Sequence, residues 1–281
     1  MAKSDFNKDR KSSGKQGGNF KRKRYSEENS RHNRKKTTAN QVRDPDLIRL
    51  NKYVANSGVC SRREADVYIA AGNVSVNGKV ITEMGHKVNR DDIVKFDGRL
   101  LNPETKEYIL LNKPRNFITT TSDERGRRTV MELISNASKA RLLPVGRLDR
   151  NTTGLLLFTN DGDLAKKLTH PKHGVRKIYH VELHKNLKQD HLNNIRAGLT
   201  LEDGPVQVDE VSYIGNAPKK EVGIEIHSGR NRIVRRIFEH LGYNVIKLDR
   251  VIYAGLTKKD LPRGHWRPLT KQEVINLGMI P

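Results

Sequence analysis

Residues 143–158 read LPVGRLDRNTTGLLLF, a stretch that joins an irregular loop to an apolar strand. The Pro, Gly and Thr positions predict a loop, and the run from Leu155 to Phe158 predicts a buried strand. Asp149 lies between Arg147 and Arg150, and because flanking cations favour the carboxylate, we expect it to be ionised at neutral pH. Loops held by a rigid sheet often carry catalytic groups. A surface ion pair is the simpler interpretation of this triplet taken alone.

The composition of the whole chain favours a polyanionic partner. Its 281 residues include 54 Lys and Arg against 32 Asp and Glu, a net charge of +22. Such an excess favours nucleic acid first and an acidic membrane surface second. No apolar run is long enough to span a bilayer, and the N-terminus lacks a signal-peptide core. Cys60 is the one cysteine, so we expect a cytoplasmic protein without disulfide, structural metal or membrane segment.

The first 45 residues have the composition of a disordered tail. They carry a net charge of +9 and are rich in Ser, Asn, Gly, Lys and Arg, with too little apolar surface to offset the entropy of ordering them. The runs at 21–24 and 34–36 are expected to contact phosphates without sequence preference. A purely solubilising tail is the alternative.

Residues 46–104 are predicted to form a compact module of two short helices and a small sheet. Asp46 is a candidate N-cap for the first helix. Ser61-Arg62-Arg63-Glu64 matches a capping box that begins the second helix, and Gly72 suits its left-handed end. Asn77-Gly78 between alternating residues is a strong hairpin signal. Arg62 and Arg63 then lie at a helix N-terminus, where they can face phosphate.

Residues 105–281 mix strands and single helices without regular alternation. Strands are predicted at 108–111, 155–158, 177–183, 206–213, 222–226 and 245–248, and helices at 130–134, 163–168 and 187–197. Residues 227–236 are predicted to enter a further helix that ends at Gly242. This pattern predicts an α+β domain with a mixed, mostly antiparallel sheet.

The second region lacks most familiar catalytic signatures. It has no P-loop or dinucleotide-binding glycine motif, and no Ser-His-Asp or Cys-His arrangement. A glycosidase of the usual kind needs two carboxylates flanking its bond, and the acids at 161 and 163 are expected about 20 Å from Asp149 across a strand. The remaining candidate catalytic groups are one acid, several arginines and a tyrosine.

The module closely resembles the S4 RNA-binding domain. Residues 50–81, LNKYVANSGVCSRREADVYIAAGNVSVNGKVI, contain the family's leucine-anchored first helix, its Ser-Arg-Arg-Glu-Ala run and its Val-Asn-Gly turn. The resemblance implies that Arg62, Arg63 and nearby basic residues grip structured RNA. A solvated helix face is the alternative.

Residues 46–281 as a whole resemble the S4-domain-containing ribosomal RNA pseudouridine synthases of the RsuA/RluB type. Residues 146–157, GRLDRNTTGLLL, match the family's central signature. The matching segments elsewhere are Asn112-Lys113-Pro114, Lys177-Ile178-Tyr179, 229–236 (GRNRIVRR), Leu248-Asp249-Arg250 to Gly255, and 264–270 (GHWRPLT). Ile233 departs from the family, in which Gln is common. The large-subunit enzymes are most similar, and the small-subunit type is the nearest alternative.

The resemblance assigns a role to each of four residues. It implies that Asp149 is the catalytic acid acting on a flipped-out uridine, that Tyr179 stacks on the uracil, and that Arg235 pairs with Asp149. Arg147 is expected to enter the gap that the base leaves. No cofactor or metal is implied.

Further basic residues are weaker candidates for RNA contact. They are Lys113, Lys177, Arg230, Arg232 and Arg236. The expected partner is ribosomal RNA or a pre-ribosomal particle, and the expected state is a monomer. A non-catalytic RNA-binding or ribosome-assembly protein on the same fold is the alternative from another class, and a general nucleic-acid chaperone is a weaker one.

Overall fold

The computed structural model describes residues 47–281, so the predictions for the tail at 1–45 and for a cap at Asp46 lie outside the described residues. The N-terminal module has its own hydrophobic core, built from residues between Leu50 and Leu101. Its elements are β1 (Ile48–Arg49), α1 (Leu50–Asn56), α2 (Arg62–Ala70), β2 (Val74–Val76), β3 (Lys79–Val80), β4 (Lys87–Val88), β5 (Val94–Phe96) and β6 (Arg99–Leu100). Strands β3-β2-β5-β6 form an antiparallel sheet.

Local sequence signals decide most of this module. The predicted capping box is confirmed, because the Ser61 amide donates to Glu64 Oε2 at 2.6 Å and the Glu64 amide donates to Ser61 Oγ at 3.2 Å. Gly72 follows the helix with φ +82°. Asn77 and Gly78 both have positive φ, as a two-residue hairpin turn of this kind requires.

The start of the first helix differs from the prediction. Ile48 and Arg49 form a short strand that pairs antiparallel with Val88 and Lys87, and the helix begins at Leu50. The pairing partner is almost forty residues away, so helical periodicity could not indicate it.

The second domain is built on a nine-stranded sheet. Its elements are β7 (Tyr108–Lys113), α3 (Val130–Leu133), β8 (Leu143–Pro144), β9 (Thr153–Thr159), α4 (Gly162–Thr169), a 3-10 turn (Pro171–His173), β10 (Lys177–Leu183), α5 (Gln189–Ala197), β11 (Leu199–Leu201), β12 (Gly204–Val206), β13 (Glu210–Tyr213), β14 (Glu221–Ile226), α6 (Ile233–His240), β15 (Val245–Tyr253), β16 (Leu256–Thr257), β17 (Trp266–Pro268) and α7 (Lys271–Met279). The strand order is β13-β14-β10-β15-β9-β7-β17, with β16 on β15 and β8 on β9. The predicted α+β class with a mixed, mostly antiparallel sheet is confirmed, since β9–β15 is its parallel pair.

Helices cover both faces of this sheet. Leu156 and Phe158 of β9 face one core, which includes residues of α3, α5 and α6, whereas Leu155 and Leu157 face another that includes residues of α4 and α7. A strand buried on both faces reads as a continuous apolar run. This arrangement explains the uninterrupted apolar run LLLF at residues 155–158.

The parallel pairing of β9 and β15 depends on Gly154. It has φ +105°, and a Cβ there would lie 2.2 Å from the Arg250 carbonyl oxygen and 2.5 Å from the Arg250 nitrogen. Real Cβ atoms do not approach backbone atoms so closely, so only glycine lets the two strands meet at this point.

Two sequence predictions in this domain are corrected, and one helix is present that was not among them. The strand predicted at 206–213 is divided into β12 and β13, because residues 199–206 form a separate hairpin with Gly204 at φ +105°. The strand predicted at 245–248 continues to Tyr253. The C-terminal helix α7 was not predicted, although Thr270 and Glu273 form a capping box that the sequence already displays.

Candidate active site around Asp149

A cavity of about 190 Å³ opens beside the loop between β8 and β9. Its walls come from that loop, from β10, from β15, and from the segment that enters α6. The lining includes Asp149, Tyr179 and Arg147, together with Lys177, Arg230, Arg232 and Arg250. The cavity is therefore a cationic pocket with one carboxylate, on the scale of a single base rather than a length of RNA.

Asp149 has two arginines close to its carboxylate. Its Oδ2 lies 3.8 Å from Arg232 Nη1 and 3.9 Å from Arg235 Nε. Both distances exceed that of a hydrogen bond, so these are charge contacts with room for adjustment. The expected approach of Arg235 to the carboxylate is present, and Arg232, predicted only as a phosphate contact, lies at the same oxygen.

Arg235 is the more enclosed of the two arginines. Its side chain is 10% exposed, and Nη1 donates to the Val245 carbonyl at 3.0 Å. Burial and the neighbouring Arg232 lower the pKa of this guanidinium, while Asp149 opposes them. The fixed guanidinium holds a positive charge beside a carboxylate that remains half exposed.

Tyr179 and Arg147 occupy opposite environments in the pocket. Tyr179, on β10, is buried at 8% exposure and belongs to the main core, yet its side chain contributes to the pocket wall. Arg147 is exposed and lies on the loop two residues before Asp149. The structure thus brings Arg147, Asp149 and Tyr179 to one pocket wall and Arg235 to the Asp149 carboxylate, from three separate segments of the chain.

The prediction that Lys113 contacts RNA is corrected by the structure. Its side chain is fully buried, and its ammonium donates to the carbonyls of Thr152 (2.8 Å), Asp149 (3.0 Å), Pro114 (3.1 Å) and Arg150 (3.3 Å). Burial lowers the pKa of Lys113 to about 8, with Asp149 acting in the opposite direction. Lys113 therefore ties the Asp149 loop to the end of β7 and has no access to a phosphate.

Three other basic candidates, Arg230, Arg236 and Lys177, form hydrogen bonds within the protein. Arg230 donates to the Pro205 carbonyl at 2.8 Å and Arg236 donates to Asp203 Oδ2 at 3.0 Å, so both brace the β11–β12 hairpin. The Lys177 ammonium donates to the carbonyls of Val175 and His227, both at 2.8 Å. Burial and then Arg250 lower the pKa of Lys177 to about 8.

Arg62 and Arg63 of the N-terminal module are exposed at the start of α2. Neither forms an ion pair with any residue in the part of the chain that the structure describes. Their guanidinium groups are thus unengaged, in contrast to those of Arg230 and Arg236.

Sequence reasoning missed two residues of the pocket wall. Arg250 is 3% exposed and Thr152 is 2% exposed, and both line the cavity. Both stand inside segments that matched the family pattern. No local signal indicates that their side chains point inward, because the neighbouring strands that enclose them are distant in sequence.

The described residues contain neither a candidate metal site nor a candidate membrane span. Between residues 47 and 281, no group of three or more His, Cys, Asp or Glu side chains is arranged to hold a metal ion. No helix in that same range is long and apolar enough to cross a membrane.

Comparison with known proteins identifies the two regions separately. Residues 48–94 match the model of the S4 domain, and residues 107–240 match the model of RNA pseudouridylate synthase. These matches, with the cationic pocket around Asp149, define an RNA-binding protein with an RNA-modification domain.

Similar proteins extend the match to both regions together. Ribosomal large subunit pseudouridine synthase B of Bacillus subtilis (strain 168) is 42% identical over 234 residues, which are 82% of this chain and 96% of that protein. The dual-specificity RNA pseudouridine synthase RluF of Escherichia coli (strain K12) is 39% identical over 82% of this chain and 78% of its own length. A crystal structure of a pseudouridylate synthase superposes with a TM-score of 0.59 at 28% identity, covering 82% of this chain and 99% of that one. The chain belongs to the RNA pseudouridine synthase family and carries an N-terminal S4 domain.

Proposed function

We propose that this protein converts a specific uridine of ribosomal RNA, in the large subunit, to pseudouridine. The observation that carries the proposal is the convergence of Asp149, Tyr179 and Arg235 on one cationic pocket. The large-subunit assignment is supported by the Bacillus subtilis relative, which is named for that activity and matches over almost its whole length.

The reaction is an isomerisation in which the uracil is detached, turned and rejoined. The bond between ribose C1′ and uracil N1 breaks, a bond between C1′ and C5 forms, the proton on C5 leaves, and N1 takes up a proton. Substrate and product therefore contain the same atoms, and no oxidant, reductant or group donor is needed.

Asp149 acts as the catalytic carboxylate that promotes release of the base. Arg235, held by the Val245 carbonyl, keeps a positive charge beside the carboxylate and limits its movement. Arg232 lies at the same oxygen and shares this task.

Entry of the target base requires that it leave the RNA stack. Tyr179 stacks on the flipped uracil, a contact worth about 1–3 kcal/mol in such sites. Arg147 is exposed at the rim, and its planar guanidinium occupies the space that the base leaves in the RNA.

The test is pseudouridine mapping on unmodified ribosomal RNA. Purified protein is incubated with in vitro transcribed 23S and 16S RNA, and pseudouridine is located by carbodiimide-stopped primer extension. We expect one or very few new stops in 23S RNA, which disappear with Asp149→Asn while RNA binding is retained.

Asp163→Asn is the matched control for this test. Asp163 is an exposed acid whose carboxylate pairs with the Lys52 ammonium at 2.7 Å, and it does not line the pocket. Full activity of Asp149→Asn would refute its catalytic role. A wild-type protein that binds RNA and yields no new stop would favour the ribosome-assembly alternative.

The same experiments define the substrate and its setting. We infer a cytoplasmic monomer acting on ribosomal RNA, either free or in a pre-ribosomal particle. New stops in 16S RNA would assign the protein to the small-subunit type instead. Comparing naked RNA with assembly intermediates isolated from cells lacking the protein identifies the form that is modified.

A further inference from the structure

Arg250 lies directly beside Tyr179 on the sheet. The two residues are antiparallel partners in the register of β10 and β15, and both contribute to the wall of the Asp149 pocket. Directly opposed residues have Cβ atoms about 5 Å apart on the same face of the sheet. A base stacked on Tyr179 therefore lies within reach of the Arg250 side chain.

The guanidinium of Arg250 is fixed from one side. Nε donates to the Leu155 carbonyl at 2.8 Å, and the guanidinium carbon lies 4.3 Å from the centre of the Tyr253 ring. Gly154 allows β9 to approach the backbone of Arg250 closely enough for this arrangement. The side chain is thus held in place before any substrate arrives.

The donor at the other end of Arg250 has no protein partner. Among residues 47–281, four buried side-chain polar atoms lack a hydrogen bond, and three of them are at this site: Thr152 Oγ1, Arg235 Nη2 and Arg250 Nη2. A buried donor without a partner costs about 1–3 kcal/mol, more when it is charged. Native proteins rarely keep such groups without a functional reason.

No carboxylate that lines the pocket is paired with the positive charge of Arg250. Asp149 is the one acid that lines the cavity, and it lies at Arg232 and Arg235. Arg230 is bonded to the Asp203 hairpin and Lys177 to two carbonyls. Arg147 is exposed at the pocket and is therefore accessible to a phosphate of the RNA backbone. The buried Arg250 is instead placed to reach the base.

We propose that Arg250 contacts a carbonyl oxygen of the flipped uracil and stabilises the negative charge that the base acquires during the reaction. When the C1′–N1 bond breaks, its electron pair remains with uracil, and the charge spreads over N1 and the two carbonyl oxygens. The electron deficiency at C1′ is met by Asp149. When C5 then attacks C1′, that pair forms the new bond, the C5 proton leaves, and N1 is protonated. Fixed donors aimed at developing charge give large rate effects.

This inference rests on the proposed function and is tested with variants of the full-length protein. Arg250→Gln is expected to reduce the single-turnover rate about 100- to 1000-fold, and Arg250→Lys less, because the charge is retained. Arg196→Gln is the matched control, since the Arg196 Nε also donates to a main-chain carbonyl, that of Val211, but outside the pocket. Thermal unfolding of each variant shows whether the domain remains folded.

Modified substrates separate a contact with the base from a structural role. A ligated RNA fragment carries 2-thiouridine or 4-thiouridine at the mapped position, because sulfur is a weaker hydrogen-bond acceptor than oxygen. One of the two thio substitutions is expected to slow the wild type clearly and Arg250→Gln much less. A methylphosphonate beside the target is expected to slow both proteins equally.

Three other outcomes would overturn the role of Arg250. They are equal thio penalties in wild type and variant at both positions, a methylphosphonate penalty that shrinks in the variant, and a rate unchanged in Arg250→Gln. All require an active wild-type enzyme. Failure of the wild type on the unmodified fragment would instead refute the proposed function itself.

Discussion

The two regions of the molecule use the same basic residues in opposite ways. In the S4 domain, Arg62 and Arg63 project from the start of α2 into solvent, without an ion pair to any described residue. In the synthase domain, Lys113, Arg235 and Arg250 are buried and donate to main-chain carbonyls. An excess of positive charge in the sequence therefore does not translate directly into an RNA-binding surface.

The physical cause of the difference is the supply of acceptors. A buried ammonium or guanidinium is tolerated only where hydrogen bonds replace its lost hydration. Three carbonyl oxygens of the Asp149 loop, together with that of Pro114, accept from Lys113. A helix N-terminus presents N–H groups and offers no acceptor to Arg62. Buried cations shape the site, and exposed ones such as Arg62 and Arg63 remain available to a polyanion.

Removing the buried ammonium of Lys113 is expected to have the largest effect. Lys113→Met is expected to reduce kcat about 100-fold, because a loop displaced by about 1 Å misplaces Asp149. It is also expected to lower the free energy of unfolding by about 3 kcal/mol, since four carbonyls lose their donor. Single-turnover kinetics and urea unfolding measure the two effects.

The matched control is Lys139→Met, which removes an exposed lysine from the same domain. It should change neither quantity appreciably. If Lys113→Met kept full activity and bound RNA more weakly, Lys113 would be a substrate contact. Its hydrogen bonds to the Asp149 loop would then not be needed for the reaction.

A second prediction concerns the ion cluster around Asp249, a partly buried residue of β15. Arg263 contacts Asp249 Oδ1 at 3.0 Å and Oδ2 at 2.9 Å, and Lys258 also contacts this carboxylate. Burial alone would raise the pKa of Asp249, but these hydrogen bonds lower it to about 2. The stabilisation is therefore present above the ordinary carboxyl pKa and is lost as the pH falls through about 2.

Asp249→Asn is accordingly expected to lower the free energy of unfolding at pH 7 by about 2 kcal/mol. The difference from wild type should shrink as the pH falls from about 4 toward 2, as measured by urea unfolding at a series of pH values. A difference that stayed constant over this range would mean that packing, not charge, supplies the stability.

The third prediction uses the pH dependence of Lys113. Its pKa of about 8 means that the ammonium loses its proton as the pH rises through that value. A neutral amine has fewer donors for the loop carbonyls, so kcat is expected to fall about tenfold between pH 7 and pH 9. Lys177 has a similar pKa, so the profile is repeated with Lys177→Met. Loss of the alkaline decline in that variant would assign it to Lys177.

The smallest effect is expected at the exposed arginines of the S4 domain. Replacing both Arg62 and Arg63 by Gln is expected to weaken RNA binding about fivefold and to make its salt dependence shallower by about two units of slope. The melting temperature should not change, because neither residue is bonded to the described protein. A large loss of stability would show that these arginines support the fold.

The sequence predicted best what neighbouring residues decide among themselves. The Ser61–Glu64 capping box and the Asn77-Gly78 turn depend on residues within one turn of chain, and both were predicted. The class of the sheet followed from the strand pattern. The convergence on Asp149 came from the family resemblance, because no local pattern links residues 149, 179 and 235.

The same reasoning failed where a residue's role depends on a distant segment. Lys113 looked like any lysine at a strand end, and its burial follows from a loop almost forty residues later. Arg250 was part of a recognised segment but received no role, because its pocket is completed by β10 and β9. The roles of buried cations are thus the ones that composition predicts least well.

Gly154 offers a practical marker for related chains of unknown activity. A side chain at that position would collide with the backbone of Arg250 and with Asp249 Oδ1 at 2.6 Å, which would separate the two strands that carry the walls of the pocket. A duplicated gene can retain the conspicuous aspartate after it has ceased to encode an enzyme. Loss of this glycine would reveal such a copy, because the residue has no side chain and serves to let the two strands approach in this conformation.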